Sequence, residues 1–223
     1  MIKSDALCVI SWNVFTGHKP ADVRREVEGM IKDHDPDVIA LMEATHLKGR
    51  LDGLGYRVFQ GSPKPKRRGN ISGGAEIALL IRNNLRVTGN GILEMTTFWK
   101  GPKHGYPQDP RSYPWVRLRR NGVVWKIGCA HTPFGHDAQV ESKHRLVRWV
   151  KTSKPGRPVV LVLDANMRLP EFRKEIADPS GMKATGYRID LIGYKNAELH
   201  RSQRLGLHGS DHNAMLYQLL AEA

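Results

Sequence analysis

The sequence predicts an α+β fold of two packed β-sheets with helices on the outside, and three observations lead there. Short apolar, β-branched runs recur along the whole chain, separated by clusters of Gly, Pro, Asn and Asp. Few helical segments interrupt them, so the strict strand–helix alternation of a doubly wound sheet is not met. No stretch of linker composition and no repeat divides the 223 residues, which predicts one domain over 1–223.

The strands expected in order are 7–13, 37–43, 74–81, 85–93, 115–120, 123–131, 158–164, 188–193 and 212–220. Each is a short run of Val, Ile, Leu or aromatic residues bounded by turn formers. A helix is expected over 20–34, where Val23, Val27, Met30 and Ile31 share a face and Pro20 suits a first turn. A second is expected over 138–152, with Leu146, Val147 and Val150 inward, and a third over 169–177.

The chain is 40% hydrophobic and 26% charged, which excludes a largely disordered protein. Its formal charge of +13 attracts polyanions, whether nucleic acid or an anionic surface. Cys8 and Cys129 stand inside apolar runs; they form no CxxC pair and no disulfide framework, which favours a reducing compartment. Without a signal-peptide pattern or a membrane-length apolar run, the expectation is a cytoplasmic protein with no membrane partner.

Positive charge gathers in three segments expected to be loops. Residues 61–72 hold Lys64, Lys66, Arg67 and Arg68 without an acid. Residues 99–126 include Lys100, Lys103 and Arg111, interspersed with Trp99, Tyr106, Tyr113, Trp115 and Trp125, against Asp109 alone. Residues 199–209 add Arg201 and Arg204. Any one could be a solvated surface; together they suit phosphate contacts.

The chemistry stands where the strands end. The first run ends in Asn13, the second in Glu43, the sixth in His131 and the seventh in Asp164, with Asn166 beyond; Asp211 and His212 precede the last. Caps and turns explain an Asp singly. A carboxylate, amide and imidazole set at the ends of the most apolar runs suggests one catalytic floor. Mg²⁺ prefers oxygen donors such as Glu43, Asn13 and Asp211. Phosphodiester hydrolysis needs a base, an acid and charge stabilisation, which two histidines and the Asp164–Asn166 pair can supply.

The ordered set SWN (11–13), ALME (40–43), AHTP (130–133), LDAN (163–166), RID (188–190) and SDH (210–212) resembles the endonuclease/exonuclease/phosphatase superfamily. That family includes DNase I, apurinic-site endonucleases, sphingomyelinases and inositol-phosphate 5-phosphatases. The resemblance implies a four-layer α/β sandwich of two mostly antiparallel sheets. It implies Glu43 as metal ligand with Asn13 beside it, and Asp211 completing the site for Mg²⁺ or Mn²⁺. His131 resembles a general acid or phosphate ligand, and Asp164 and Asn166 resemble the pair that places nucleophile and phosphate. His212 resembles the general base oriented by Asp190, with acid and base labels open to exchange. Arg111 is similar to a phosphate-contacting arginine.

Departures mark the branch. Met42 replaces the usual Gln before the glutamate, and Leu163 the common Gly before Asp164. Phe15 stands where apurinic-site endonucleases carry a second Asp, and His131 favours the DNase I side, with Glu76 as its possible partner. The reading is a metal-dependent, sequence-nonspecific nuclease acting on DNA, with RNA second, as a monomer. Lys64, Lys66, Arg67, Arg68, Lys103, Arg201 and Arg204 would track the polymer, since phosphate contacts carry no sequence information. A phosphatase or lipid phosphodiesterase, an inactive nucleic-acid-binding relative, and a zinc protein using His208 and His212 are the alternatives.

Overall fold

The computed structural model describes residues 5–15, 17–44, 47, 49–60, 77–94, 112–133 and 136–222. The strands are β1 (Leu7–Asn13), β2 (Val38–Met42), β3 (Tyr56–Gln60), β4 (Ile77–Arg82), β5 (Arg86–Glu94) and β6 (Ser112–Arg120). They continue as β7 (Val123–His131), β8 (Val159–Asp164), β9 (Lys183–Tyr187), β10 (Asp190–Lys195), β11 (Ala197–Gly206) and β12 (Ala214–Ala221). The main helices are α1 (Pro20–His34) and α2 (His136–Lys151). A shorter helical stretch runs through α3 (Leu169–Phe172), a π turn (Arg173–Ala177) and α4 (Asp178–Ser180).

Two six-stranded sheets form, ordered β11-β12-β1-β2-β4-β3 and β5-β6-β7-β8-β10-β9. Each holds one parallel pair, β1 with β2 and β7 with β8, and is otherwise antiparallel. The parallel pairs are bridged by α1 and α2, because parallel neighbours need a crossover.

The central strands read as continuous apolar runs because both of their faces are covered. Alternate residues of β1, β2 and β4 divide cleanly. Leu7, Val9, Val38, Ala40, Ile77 and Leu79 enter the core between the sheets. Cys8, Ile10, Ile39, Leu41, Ala78 and Leu80 face the cluster that Val23, Val27 and Met30 of α1 complete. On the other sheet Leu146, Trp149 and Val150 of α2 pack outside. The layers are therefore helix, sheet, sheet, helix. The α1 boundaries follow local chemistry: Pro20 opens the first turn, and Asp35 caps the end in the left-handed region with its N–H on the Ile31 carbonyl.

Three strands were not foreseen, β3, β9 and β11, and all three lie at sheet edges. An edge strand needs neither an apolar face on both sides nor a strict alternation. β11 corrects the expectation of a basic loop over 199–209: its charged residues are exposed side chains of a strand with two register shifts. Among the described residues, no helix is long and apolar enough to cross a membrane.

Candidate active site

Strand direction collects the polar ends. β1 and β2 run parallel, so Asn13 at the end of one pairs with Met42 at the end of the other, and Glu43 follows. β7 and β8 are likewise parallel, and His131 pairs with Asp164. β12 runs against β1 and β10 against β8, so they bring their starting ends, with His212 and Asp190, to the same rim.

Asp164 is the hub. Its Oδ2 accepts the Asn13 Nδ2–H at 2.9 Å and lies 3.6 Å from His131 Nε2 and 3.7 Å from His212 Nε2. Its Oδ1 accepts the Asn166 backbone N–H at 3.1 Å. Asn166, held in the left-handed region at φ 45°, donates its Nδ2–H to the Thr132 carbonyl at 2.6 Å. Two imidazole nitrogens thus converge on one carboxylate oxygen, a spacing that suits a water or phosphate oxygen between them.

His212 Nδ1 donates to Asp190 Oδ1 at 2.8 Å, which fixes the ring and turns Nε2 toward Asp164. That bond raises the His212 pKa from 6.5 to about 9 against the opposing effect of burial. Burial in turn pushes the Asp190 carboxyl above the ordinary carboxylate value, while the imidazole pulls it back. The effect that prevails is on the histidine, because the charge-assisted bond favours its protonated form.

Several supports were not singled out from the sequence. Ser210 Oγ donates to the Asn13 carbonyl at 2.7 Å and accepts the His212 N–H at 3.1 Å, tying β1 to the start of β12. Tyr113 donates to the His131 carbonyl, and Thr132 Oγ1 to the Ala165 carbonyl. Ser210 and Thr132 stand inside the quoted motifs; Tyr113, on a neighbouring strand, has no local signal.

Asn13 also donates to Glu43 Oε1 at 3.1 Å, while its Oδ1 accepts the Phe15 N–H at 3.0 Å. Rotating the amide would aim its oxygen at two carboxylates, so this orientation is fixed by chemistry. It presents nitrogen to both carboxylates, so Asn13 spaces Glu43 from Asp164. Glu43, half-buried in the left-handed region at φ 56°, and the exposed Asp211 remain oxygen donors at the open side. A second possible group is Asp164, Asp190 and His212, whose ligand atoms lie within 4.8 Å of one another. A hard cation that keeps its waters fits Glu43 better, since His212 Nδ1 and Asp190 already satisfy each other.

Met42 explains its own departure. Its side chain enters the core between the sheets and meets Cys129, Sδ to Sγ 3.3 Å, so it does not face the site. His208, suggested for zinc, has Nδ1 on Glu26 Oε2 at 2.9 Å and Nε2 3.1 Å from the Leu205 carbonyl, a satisfied structural histidine. Arg201 and Arg204 are exposed on the β11 edge. Lys64, Lys66, Arg67, Arg68, Glu76, Lys103 and Arg111 lie outside the described residues.

Residues 10–212 match the model of the Endonuclease/Exonuclease/phosphatase family, almost the whole length of the chain. The chain belongs to that family. The same architecture recurs in human Nocturnin catalytic domain with bound sulfate, at TM-score 0.77 and 16% identity over 99% of this chain and 96% of that one. It recurs in D. rerio TDP2 complexed with single strand DNA product, at TM-score 0.74 and 17% identity over 96% and 98%. A mannosyl-6-phosphatase of Bacteroides thetaiotaomicron gives TM-score 0.74 and 16% identity over 96% and 99%. At such identities the likeness is one of fold. No curated protein matches the chain in sequence. An Endonuclease/Exonuclease/phosphatase fold is that of a phosphoesterase, typically dependent on a divalent metal, and the oxygen donors at this rim are of the right chemical type.

Proposed function

We propose that this chain is a Mg²⁺- or Mn²⁺-dependent nuclease that hydrolyses phosphodiester bonds of DNA without sequence preference and works as one catalytic domain. The observation that carries the phosphodiester chemistry is the convergence of His131 Nε2, His212 Nε2 and the Asn13 amide on Asp164 Oδ2.

In this reading each residue of the cluster has one role. Asp190 holds the His212 ring so that Nε2 takes a proton from an attacking water placed by Asp164. Asn166 and His131 donate to the nonbridging oxygens, where negative charge grows as the attack proceeds. His131, whose Nε2 lies 3.6 Å from Asp164 Oδ2, protonates the departing oxygen. A divalent cation held by Glu43 with Asp211 would neutralise charge on the scissile phosphate.

The choice of polymer rests on charge. A total of +13 and the exposed β11 arginines, close to the rim, favour a polyanion over a small ester. TDP2 of the same fold has been seen with a single strand DNA product, which supports DNA as the first polymer to test. The second reading is a phosphatase acting on small esters, supported by the mannosyl-6-phosphatase of equal TM-score.

Supercoiled plasmid incubated with Mg²⁺, Mn²⁺ or EDTA, beside a His212→Ala variant, tests the proposal. Metal-dependent nicking that disappears in EDTA and in the variant is the expected result. Release of phosphate from small monoesters with no nicking would replace it by the second reading.

A further inference from the structure

One cross-strand row runs through the site. His131 pairs with Asp164, Asp164 with Asp190, and Asp190 with Tyr187, across β7, β8, β10 and β9. Residues opposite one another in neighbouring strands share a face. Tyr187 therefore lies two strand spacings, about 10 Å, from Asp164.

Two guanidinium groups meet on that ring. Arg188 Cζ is 5.5 Å from the Tyr187 centroid, and Arg204 Cζ, reaching across from β11 of the other sheet, is 4.6 Å from it. Both arginines are exposed, and among the described residues neither has a carboxylate partner. Two like charges beside one aromatic ring repel each other, and an anion within reach of both relieves that repulsion.

The backbone is also committed to this placement. Arg188 opens the two-residue turn between Tyr187 and Asp190 at φ 53°, a conformation that an L side chain adopts at a cost. The turn is pinned to the loop after β8 by the Ala165 N–H on the Ile189 carbonyl at 2.8 Å. A glycine would occupy this position without strain.

We propose that Tyr187, Arg188 and Arg204 form a subsite for a backbone phosphate flanking the scissile one, so that the enzyme selects a nucleic-acid strand over a single phosphate ester. The proposal rests on the nuclease reading. Tyr187 holds the two guanidinium groups through its ring, and the arginines contact the phosphate oxygens.

The test uses a fluorescein-labelled single-stranded octanucleotide and measures anisotropy across a NaCl series, with wild type, Arg188→Gln, Arg204→Gln and Arg188→Gly. Each substitution is expected to weaken binding about tenfold at low salt. It should also reduce the slope of log K against log salt by about 0.7, one phosphate contact on a single strand. Cleavage of the octanucleotide should fall at least about tenfold more than cleavage of bis(p-nitrophenyl) phosphate, which has no flanking phosphate. The Arg188→Gly protein should melt no lower than Arg188→Gln, so that its loss of binding is not unfolding. Cleavage of the octanucleotide with unchanged affinity and slope in the variants overturns the subsite and leaves the nuclease reading standing. Binding that loses slope in the variants, with no cleavage by wild type in any metal, keeps the subsite and overturns the nuclease reading. No binding by wild type overturns both.

Discussion

Replacing Asp190 by Asn isolates the contact on which the proposed base depends. The amide keeps the shape and can still accept from His212 Nδ1, but the negative charge 2.8 Å away is gone. In the wild type that charge carries the His212 pKa from 6.5 to about 9. A rise of this size corresponds to about 3 kcal/mol of preference for the protonated ring. The assay is an NMR titration of the His212 ring in metal-free protein. The variant midpoint should return to near the ordinary histidine value of about 6.5. Stability carries the same signature. Because the folded value lies above the unfolded one, the contribution is complete below about pH 6.5 and is lost as pH rises through about 9. The gap between wild type and Asp190→Asn in urea unfolding should therefore be wider at pH 6 than at pH 10, reduced at every pH by the relief of a buried carboxylate. Hydrolysis should fall about 10²-fold or more, as for loss of a positioned acid–base pair. The wild-type rate should climb with pH as His212 loses its proton. A variant midpoint that stays near 9 refutes the coupling, and a rate that falls over this range assigns His212 the role of acid.

Other perturbations probe separate parts of the fold. Asn13→Ala leaves Glu43 and Asp164 facing each other without their shared amide; a loss of about 1–3 kcal/mol in unfolding and about 10² in rate is expected. Gly186→Ala would press a Cβ against the Asp190 carbonyl oxygen at φ 151°, so thermal melting should show destabilisation by about 3 kcal/mol or more. Lys126, buried with Nζ 2.6 Å from the Trp149 carbonyl and 4.1 Å from the Trp149 ring centroid, has its pKa lowered by burial from 10.5 to about 8. The unfolded chain binds the extra proton between those values, so this group's contribution to stability rises from pH 8 to 10.5. The stability of wild type relative to Lys126→Met in urea unfolding should therefore rise over that range. Glu43→Gln should raise the Mg²⁺ concentration needed for half-maximal activity by about tenfold or more, as expected for a lost charged oxygen ligand.

The site was legible because its pattern is local. An apolar strand ending in one polar residue is readable without knowing what lies beside it, and Asn13, Glu43, His131 and Asp164 all carried that mark. Register was not legible, since no residue of β8 or β10 states that Asp164 faces Asp190 or that Asp190 faces Tyr187. Three of the four edge strands were missed for a related reason: β11 has solvent on one side, so its pattern is charge and bulge instead of alternation. Met42 shows the converse case. The family's Gln position holds a residue that strand alternation sends into the core between the sheets, which the motif does not reveal.

Why the chemistry lies at one rim follows from the two strand–helix–strand units. Each unit, β1-α1-β2 and β7-α2-β8, has parallel strands, and parallel strands finish at the same end. Asn13 with Glu43, and His131 with Asp164, are therefore delivered in pairs by topology before any side chain interacts. The antiparallel neighbours β12 and β10 must then start where those strands finish, which brings His212 and Asp190 beside them. The hydrogen bonds from Asn13 to Asp164 and from His212 to Asp190 each join one sheet to the other. Sheet packing and the geometry of the candidate site are thus linked. A substitution that shifts the inter-sheet core near this end, such as Met42→Ala beneath Glu43, should lower activity through the distance between the sheets while leaving every named polar group in place. Its signature is a fall in rate that Met42→Leu, which keeps most of the volume, largely restores.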